Sequence, residues 1–150
     1  MKKATTATIA VFLIIGGFFI ISKPDNNCVN VYIDYGSLKN NAKSTECLNI
    51  NGKTNALEIL NKANYKIEGT KKYGSSVVCR INGLPDRSIE SCETMPPSNA
   101  YWAVIIKKKQ IVPFTLSEWG WAQKGIDETY LSPGDNLGLV FSSNGELRWP

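Results

Sequence analysis

Apolar and polar residues alternate along several short stretches of the chain, with the period of two that is typical of a strand with one buried face. The clearest example runs from residue 29 to residue 35, where Val29, Val31 and Ile33 alternate with more polar neighbours. Turn sequences separate these stretches, as is expected where a chain reverses between strands. Strands are therefore predicted at residues 29–35, 44–50, 65–70, 77–81, 100–106, 111–116 and 137–141.

One stretch, residues 54–64, has a helical pattern instead. Its apolar side chains fall on one face at helical spacing. Thr54 or Asn55 is suited to the N-cap, and Glu58 lies in the first turn, where the helix dipole favours an anion. Asn64 is suited to the left-handed position that ends a helix. One main helix with a mixed sheet that contains about five to six of the predicted strands indicates an α+β domain.

The N-terminus carries an apolar stretch of 18 residues without a charge, residues 4–21. Lys2 and Lys3 precede it, and a basic segment before an apolar stretch is typical of an export signal. Its length is also near the minimum that spans a bilayer. We predict an N-terminal apolar helix that is either a cleaved signal peptide or a signal anchor crossing the membrane once. The predicted parts are this segment at residues 1–23, a linker at 24–28 and a folded domain at 29–150.

The distribution of charge agrees with an export signal followed by a nearly neutral domain. Three of its 17 basic residues, Lys2, Lys3 and Lys23, flank the apolar stretch, and the others nearly balance the 13 acidic residues. A domain this close to neutral gives no electrostatic reason to bind nucleic acid. Lysines before the apolar stretch predict that the N-terminus stays inside. The domain is therefore expected to be extracytoplasmic, anchored by the N-terminal helix or secreted after cleavage.

All four cysteines lie beyond the apolar stretch. An even number of cysteines in an exported domain predicts two disulfides. Four cysteines allow three pairings, and we predict the local one, Cys28–Cys47 with Cys79–Cys92, in which each bridge stabilises the fold by about 3 kcal/mol. No C-x-x-C pair and no histidine is present, so the spacing favours neither a metal site nor a redox-active pair.

The residues offer little for catalysis. The absence of histidine excludes a Ser-His-Asp or Cys-His pair. Asp34 and Asp135 both lie near turns, and nothing in the sequence brings them together as an acid–base pair. No glycine-rich phosphate loop is present. We therefore predict a protein that is not an enzyme and that carries no cofactor of its own.

Five aromatic residues within 21 positions are the candidate binding residues, because large rigid rings suit a flat ligand or a partner surface. Sheet packing is the main alternative for Tyr101 and Trp102. The segment around Trp119 and Trp121 is more typical of an exposed loop, and an exposed tryptophan pair indicates a use. The Lys107–Lys109 run is interpreted as a solvated hairpin, with contact to anionic lipid as the alternative. The five candidates are Tyr101, Trp102, Phe114, Trp119 and Trp121.

Several short motifs follow one another in an order that resembles a known family. They are the segment TNALEILNKANYKIEGTKKYGSSVVCRINGLPD at residues 54–86, Tyr101-Trp102 after a Pro-Pro pair, and LSPGD at residues 131–135 before the last strand. Together they resemble the bacterial members of the transcobalamin C-terminal-like domain family over residues 29–142. The cysteine placement is also similar to that of secreted bacterial members.

The resemblance implies a β-grasp fold that binds a soluble ligand. It implies a non-enzymatic extracytoplasmic domain for a small flat ligand, such as a corrinoid or a related cofactor, with a role in vitamin uptake and a membrane transporter or envelope protein as partner. The alternative is an interaction or structural module of the cell envelope without a small-molecule ligand. In that case Trp119 and Trp121 should lie on a flat or convex surface rather than in a cleft.

Overall fold

A computed structural model of the chain describes residues 27–109 and 117–150. Within these ranges the chain forms nine strands and one α-helix, so the predicted α+β class is confirmed. The predicted N-terminal helix and the predicted strand at residues 111–116 lie outside the described residues. The elements are β1 (Cys28–Asp34), β2 (Lys43–Asn49), β3 (Thr54–Asn55), α1 (Ala56–Lys62), β4 (Ile67–Thr70), β5 (Gly74–Ile81), β6 (Ala100–Lys107), β7 (Gly120–Trp121), β8 (Tyr130–Leu131) and β9 (Asn136–Ser143).

The main sheet has five strands in the order β2-β1-β9-β6-β7. The first and last strands, β1 and β9, are parallel neighbours at its centre, with Val31 opposite Leu137. The other neighbours are antiparallel. Two small ladders, β3 with β8 and β4 with β5, complete the described sheet structure. The two edges of the main sheet are therefore β2 on one side and β6 with the short β7 on the other.

The hydrophobic core lies against one face of the main sheet. Alternate residues of the central strands, such as Val31 and Leu139, are fully buried there against Ile59 and Leu60 of α1. This arrangement follows from the sequence pattern, because the strand period of two and the helical stripe each place apolar side chains on one side. The opposite face of the sheet, called here the outer face, carries no helix in the described ranges.

The helix is shorter than predicted. Residues 54–64 were expected to be helical, but Thr54 and Asn55 instead pair with β8, and α1 ends at Lys62. Asn55 is the N-cap, because its side chain accepts hydrogen bonds from the backbone N–H groups of Leu57 and Glu58. Asn64 has a φ of 60°, the left-handed conformation predicted for the end of the helix. The helix therefore begins two residues later than predicted, because Thr54 and Asn55 pair with β8 instead.

Both predicted disulfides are present. Cys28 is bonded to Cys47 across the β1–β2 pair, and Cys79 in β5 is bonded to Cys92. No cysteine in the described ranges is free. Two disulfides indicate an oxidising, extracytoplasmic environment. In the described ranges the helical segments lack the length and apolar character needed to span a bilayer.

The long loop at residues 82–99, between β5 and β6, is fastened to β5 by a buried arginine as well as by a disulfide. Arg80 is only 2% exposed; its guanidinium donates hydrogen bonds to the carbonyl oxygens of Pro85 and Glu90 and forms an ion pair of 2.6 Å with Glu68. These bonds satisfy a charge that would be costly to bury without partners. They also fix the loop segment that leads into β6.

Candidate functional site

A groove of about 510 Å³ follows the edge of β6. Its walls come from β5 at residues 76–78, from β6 at residues 101–104, and from residues 121–125, with Met95 and Pro96 of the long loop. The groove exists because β7 is only two residues long and pairs only with Ile105 and Ile106. Among the described residues, the earlier part of β6 has no neighbouring strand on that side. The volume falls within the range of about 300–1,000 Å³ typical of small-molecule sites.

Tyr101 and Trp121 line this groove as a stacked aromatic pair. Their ring centroids are 6.4 Å apart, with an angle of 25° between the planes. Trp121 lies opposite Ile105 in the β6–β7 ladder, so it shares the outer face with Tyr101, which is four residues earlier in the same strand. Trp121 remains 45% exposed, and the ring of Trp149 lies 6.0 Å away at an angle of 80°. The pair thus contributes exposed aromatic surface to the groove.

Trp102 contributes to the core rather than to the aromatic surface. It is 5% exposed and packs edge-on against Tyr35 and Phe141, with centroid distances of 5.6 and 5.4 Å. Its indole N–H donates a hydrogen bond of 3.1 Å to the carbonyl oxygen of Leu84. The sheet-packing alternative therefore holds for this side chain. Trp102 nevertheless belongs to the wall of the groove that residues 101–104 form.

Trp119 lies on the outer face but away from the groove. Its ring is 6.4 Å from that of Tyr32, at an angle of 49°. It also lies over Gly138, where an added Cβ atom would be only 3.1 Å from the indole. Trp119 therefore covers the centre of the sheet, and the structure does not bring it together with Trp121 at one ligand surface. Phe114 lies outside the described residues.

The segment after β7 is a part of the site that sequence reasoning missed. Residues 121–125 form a wall of the groove, and Asp127 ties that segment to β5 by accepting a hydrogen bond of 2.8 Å from the hydroxyl of Ser76. The other carboxylate oxygen of Asp127 is buried and has no hydrogen-bond partner among the described residues. Gly125 is required here, because an added Cβ would lie 2.5 Å from the backbone of Ser76. No local sequence pattern predicts these contacts.

The Lys107–Lys109 run was interpreted as a solvated hairpin; Lys108 and Lys109 are exposed, and the residues that would complete the hairpin lie outside the described chain. The ammonium of Lys108 donates to the carboxylate of Asp135 and to the carbonyl oxygen of Tyr130, each at 2.9 Å. Burial raises the pKa of Asp135, but backbone N–H donors from Ser132 and Lys109 and the Lys108 ammonium outweigh it, so this pKa lies below its ordinary value. Lys108 is thus exposed and also paired with the carboxylate of the turn before β9, a contact that the sequence did not predict.

The two carboxylates considered for acid–base work both have structural partners. Asp34 accepts a hydrogen bond of 2.9 Å from the backbone N–H of Gly36 and lies 3.1 Å from the ammonium of Lys43. Asp135 accepts hydrogen bonds from Lys108, Lys109 and Ser132. In residues 27–109 and 117–150, no group of three or more metal-ligating side chains comes together. The groove is thus the described feature best suited to function, and what it offers is aromatic and main-chain surface.

Comparisons with protein-family models, with curated proteins and with solved structures find no match to this chain.

Proposed function

We propose that this protein is a non-enzymatic, extracytoplasmic binding domain whose groove accepts a small flat ligand, such as a corrinoid or a related cofactor, in support of vitamin uptake. The observation that carries the proposal is the stacked pair of Tyr101 and Trp121 at a groove of about 510 Å³. Burying a flat ring against these side chains gains the apolar contact and aromatic stacking that rigid aromatic residues provide.

The order of the elements supports a β-grasp domain of the transcobalamin C-terminal-like type. Two long strands and the short β3, then the helix and further strands, follow one another along the chain, and the last long strand returns to the centre of the sheet beside the first. The LSPGD motif also has a structural role. Its Asp135 accepts hydrogen bonds from the ammonium of Lys108 and the backbone N–H of Lys109, just after β6. These features agree with the resemblance in the sequence and extend over most of residues 29–142.

The proposed location is the outer side of a membrane, with the domain held by the N-terminal segment or released by its cleavage. The two disulfides support an exported domain. A ligand captured there needs a membrane transporter or an envelope protein to receive it. We therefore propose such a protein as the partner in uptake.

The test is a titration of the full chain, with both disulfides formed, against soluble corrinoids and other planar cofactors. We expect quenching of tryptophan fluorescence and a rise in the unfolding temperature, because a ligand at about 100 times its Kd stabilises the folded state by about 2.7 kcal/mol. Trp121→Ala should weaken binding at least about tenfold, which corresponds to about 1.4 kcal/mol. Trp119→Ala is the matched control and should bind as the wild type does. Equal loss in both variants, or no response to any compound, would contradict the proposal.

A second candidate is an interaction module of the cell envelope without a small-molecule ligand. It is favoured by the apolar surface that remains exposed near the groove, where Met95 is 60% exposed and Trp121 and Trp149 are each 45% exposed. Exposed apolar patches of this kind mark protein contacts as well as ligand sites. Binding of a protein partner that Trp121→Ala weakens, with no response to planar cofactors, favours this candidate.

A further inference from the structure

The main-chain groups of β6 point alternately toward β9 and toward the groove. The carbonyl oxygen of Val104 accepts a hydrogen bond of 3.0 Å from the N–H of Ala122, on the side away from β9. The N–H of Ala100 also points away from β9, since it donates to Pro97 at 3.0 Å. The β6–β9 register runs without a bulge from Ala100 to Lys107. In such a ladder residues two apart point the same way, so the N–H and C=O of Trp102 face the groove.

Within the part of the chain that the structure describes, these groups form a short, unused strand edge. No described residue forms a hydrogen bond with the N–H or C=O of Trp102, or with the N–H of Val104. In the described chain β7 covers β6 only at Ile105 and Ile106. An open edge with apolar side chains around it invites pairing with another chain, and proteins usually block such edges unless they use them.

We propose that this edge binds an extended peptide segment of a partner protein, which adds to the sheet as a strand beside residues 101–104. The segment runs parallel to β6, and one of its carbonyls accepts from the N–H of Trp102. Its residue opposite Ala103 donates to the C=O of Trp102 and accepts from the N–H of Val104, and the segment then turns away, because Ala122 already lies beside Val104. This recognition mode draws affinity from main-chain bonds and specificity from alternate side chains. The proposal rests on the groove's proposed role as a binding site and names a different occupant for it.

The groove fits the side chains as well as the backbone of such a segment. Side chains on one side of an added strand would meet Tyr101 and Trp121 on the outer face. Those on the other side would meet Val77 and Met95, which line the groove. At about 3.3 Å per residue, the open stretch accommodates three to four residues of the peptide. Among the described residues that line the groove, Lys124 alone is charged, and it already pairs with Glu128 at 3.2 Å, so an apolar or aromatic segment is the expected occupant.

The first arm of the test is amide hydrogen exchange of the full, disulfide-bonded chain without any ligand. The N–H groups of Trp102 and Val104 should exchange faster than those of Ala103 and Ile105, which bond to β9. Equal protection at all four positions would mean that the edge is already occupied and would overturn the proposal.

The second arm uses a synthetic library of capped peptides of about six residues, the length of a typical strand. The tightest binder is then remade with single N-methyl groups along its backbone. We expect affinity to fall about tenfold where the methyl group replaces the N–H that donates to the C=O of Trp102 and to change little at the positions on either side, because alternate N–H groups of an added strand face the sheet. A library without a binder, or losses without this alternation, would overturn the proposal.

Val104→Pro tests the protein side of the same contact. It removes an N–H that no described residue accepts, and proline is tolerated at an edge position of this kind. Val104→Ala is the matched control, since it also loses the side chain but keeps the N–H. We expect the proline variant to bind the library peptide about tenfold more weakly than the alanine variant. Equal affinity would contradict the proposal, and if the proline variant does not fold, the N-methyl series decides alone.

The outcomes separate this inference from the proposed small-molecule function. Planar cofactors that bind in a Trp121-dependent way, together with a library that yields no peptide, would refute only the peptide partner. Peptides that bind with the alternating pattern, while planar cofactors do not, would support the inference and refute the small flat ligand. Self-pairing of the chain through β6, detected as a dimer that the peptide does not disrupt, would also overturn it.

Discussion

The two edges of the main sheet differ in chemistry and in how they are protected. The β2 edge is largely polar and solvent-exposed, and it includes Lys43 and Glu46. A disulfide from Cys47 to β1 and the ion pair of Lys43 with Asp34 hold it in place. The β6 edge has aromatic and aliphatic neighbours instead, and β7 covers only two of its residues.

This difference indicates which edge is available for binding. Charged side chains along an edge strand discourage pairing with another chain, and β2 has this protection. The β6 edge lacks it, although the strand itself is held at both ends. Before β6, Arg80 and the Cys79–Cys92 bridge fix the loop at residues 82–99, and after β6, Asp135 binds Lys108. A firmly held strand with an open edge is suited to binding, because little of the backbone has to be ordered when the ligand arrives.

The largest expected loss of stability follows removal of Arg80, the buried arginine that fixes the loop before β6. Arg80→Met leaves two backbone carbonyls and Glu68 without their donor, so the free energy of unfolding should fall by about 3–4 kcal/mol. Denaturant unfolding of the oxidised chain measures this. Arg87→Met is the control, because this side chain is 84% exposed and should change stability by less than about 0.5 kcal/mol. Similar losses in both variants would show that Arg80 does not organise the loop.

Removal of either disulfide comes next. Replacing Cys28 and Cys47 together by serine, or Cys79 and Cys92 together, should each cost about 3 kcal/mol, since the loops they close are of similar length, with sequence separations of 19 and 13. Measuring ligand binding in both double variants distinguishes the roles of the two disulfides. Only loss of Cys79–Cys92 should weaken binding at the groove, because that bridge fixes the loop carrying Met95. Equal weakening by both double variants would contradict the proposed site.

The Asp135 carboxylate should make stability depend on acid pH. Its pKa is lowered in the folded state, so the stability it contributes is present above the unfolded value of about 3.9 and is lost as the pH falls through the lower, folded value. Asp135→Asn should cost about 2 kcal/mol at neutral pH and flatten the acid limb of an unfolding curve measured against pH. Glu118→Gln, at an exposed carboxylate, is the control. An acid limb of unchanged steepness in Asp135→Asn would refute the assignment.

The smallest expected effect is on the β2 edge. Glu46→Val replaces an exposed charge and should change stability by less than about 0.5 kcal/mol. It should instead raise the tendency to self-associate, because it weakens the polar protection of that edge. Sedimentation of the variant and of Glu46→Gln at rising concentration measures the difference. If neither variant associates more than the wild type, polarity is not what protects β2.

The parts of the fold that the sequence predicts are those with a long apolar pattern. The strands β1, β6 and β9 are each seven or eight residues long, which is enough for their apolar residues to be recognised as strands, although β9 is buried on both faces. Strands of two residues, such as β7, have no period to detect. The parallel pairing of β1 with β9 joins segments about 100 residues apart, and no local pattern carries that information.

The candidate site was predictable only in part. Tyr101, Trp102 and Trp121 line the groove, and their aromatic character marked them. The different positions of Trp119 and Trp121 depend on the exact register of β7 against β6, which places Trp121 opposite Ile105. The contact between Ser76 and Asp127 joins residues that are 51 positions apart, and only the folded chain reveals it.

Residue-by-residue amide hydrogen exchange, with and without a bound probe, tests the central claim most directly. The probes are a soluble corrinoid and the tightest peptide from the library. In the free protein, outward-facing amides should exchange quickly on both β2 and β6. With a probe bound, protection should rise at Trp102 and Val104 and stay unchanged along β2. Protection that rises along β2, or no change at Trp102 and Val104 with either probe at saturation, would contradict the account.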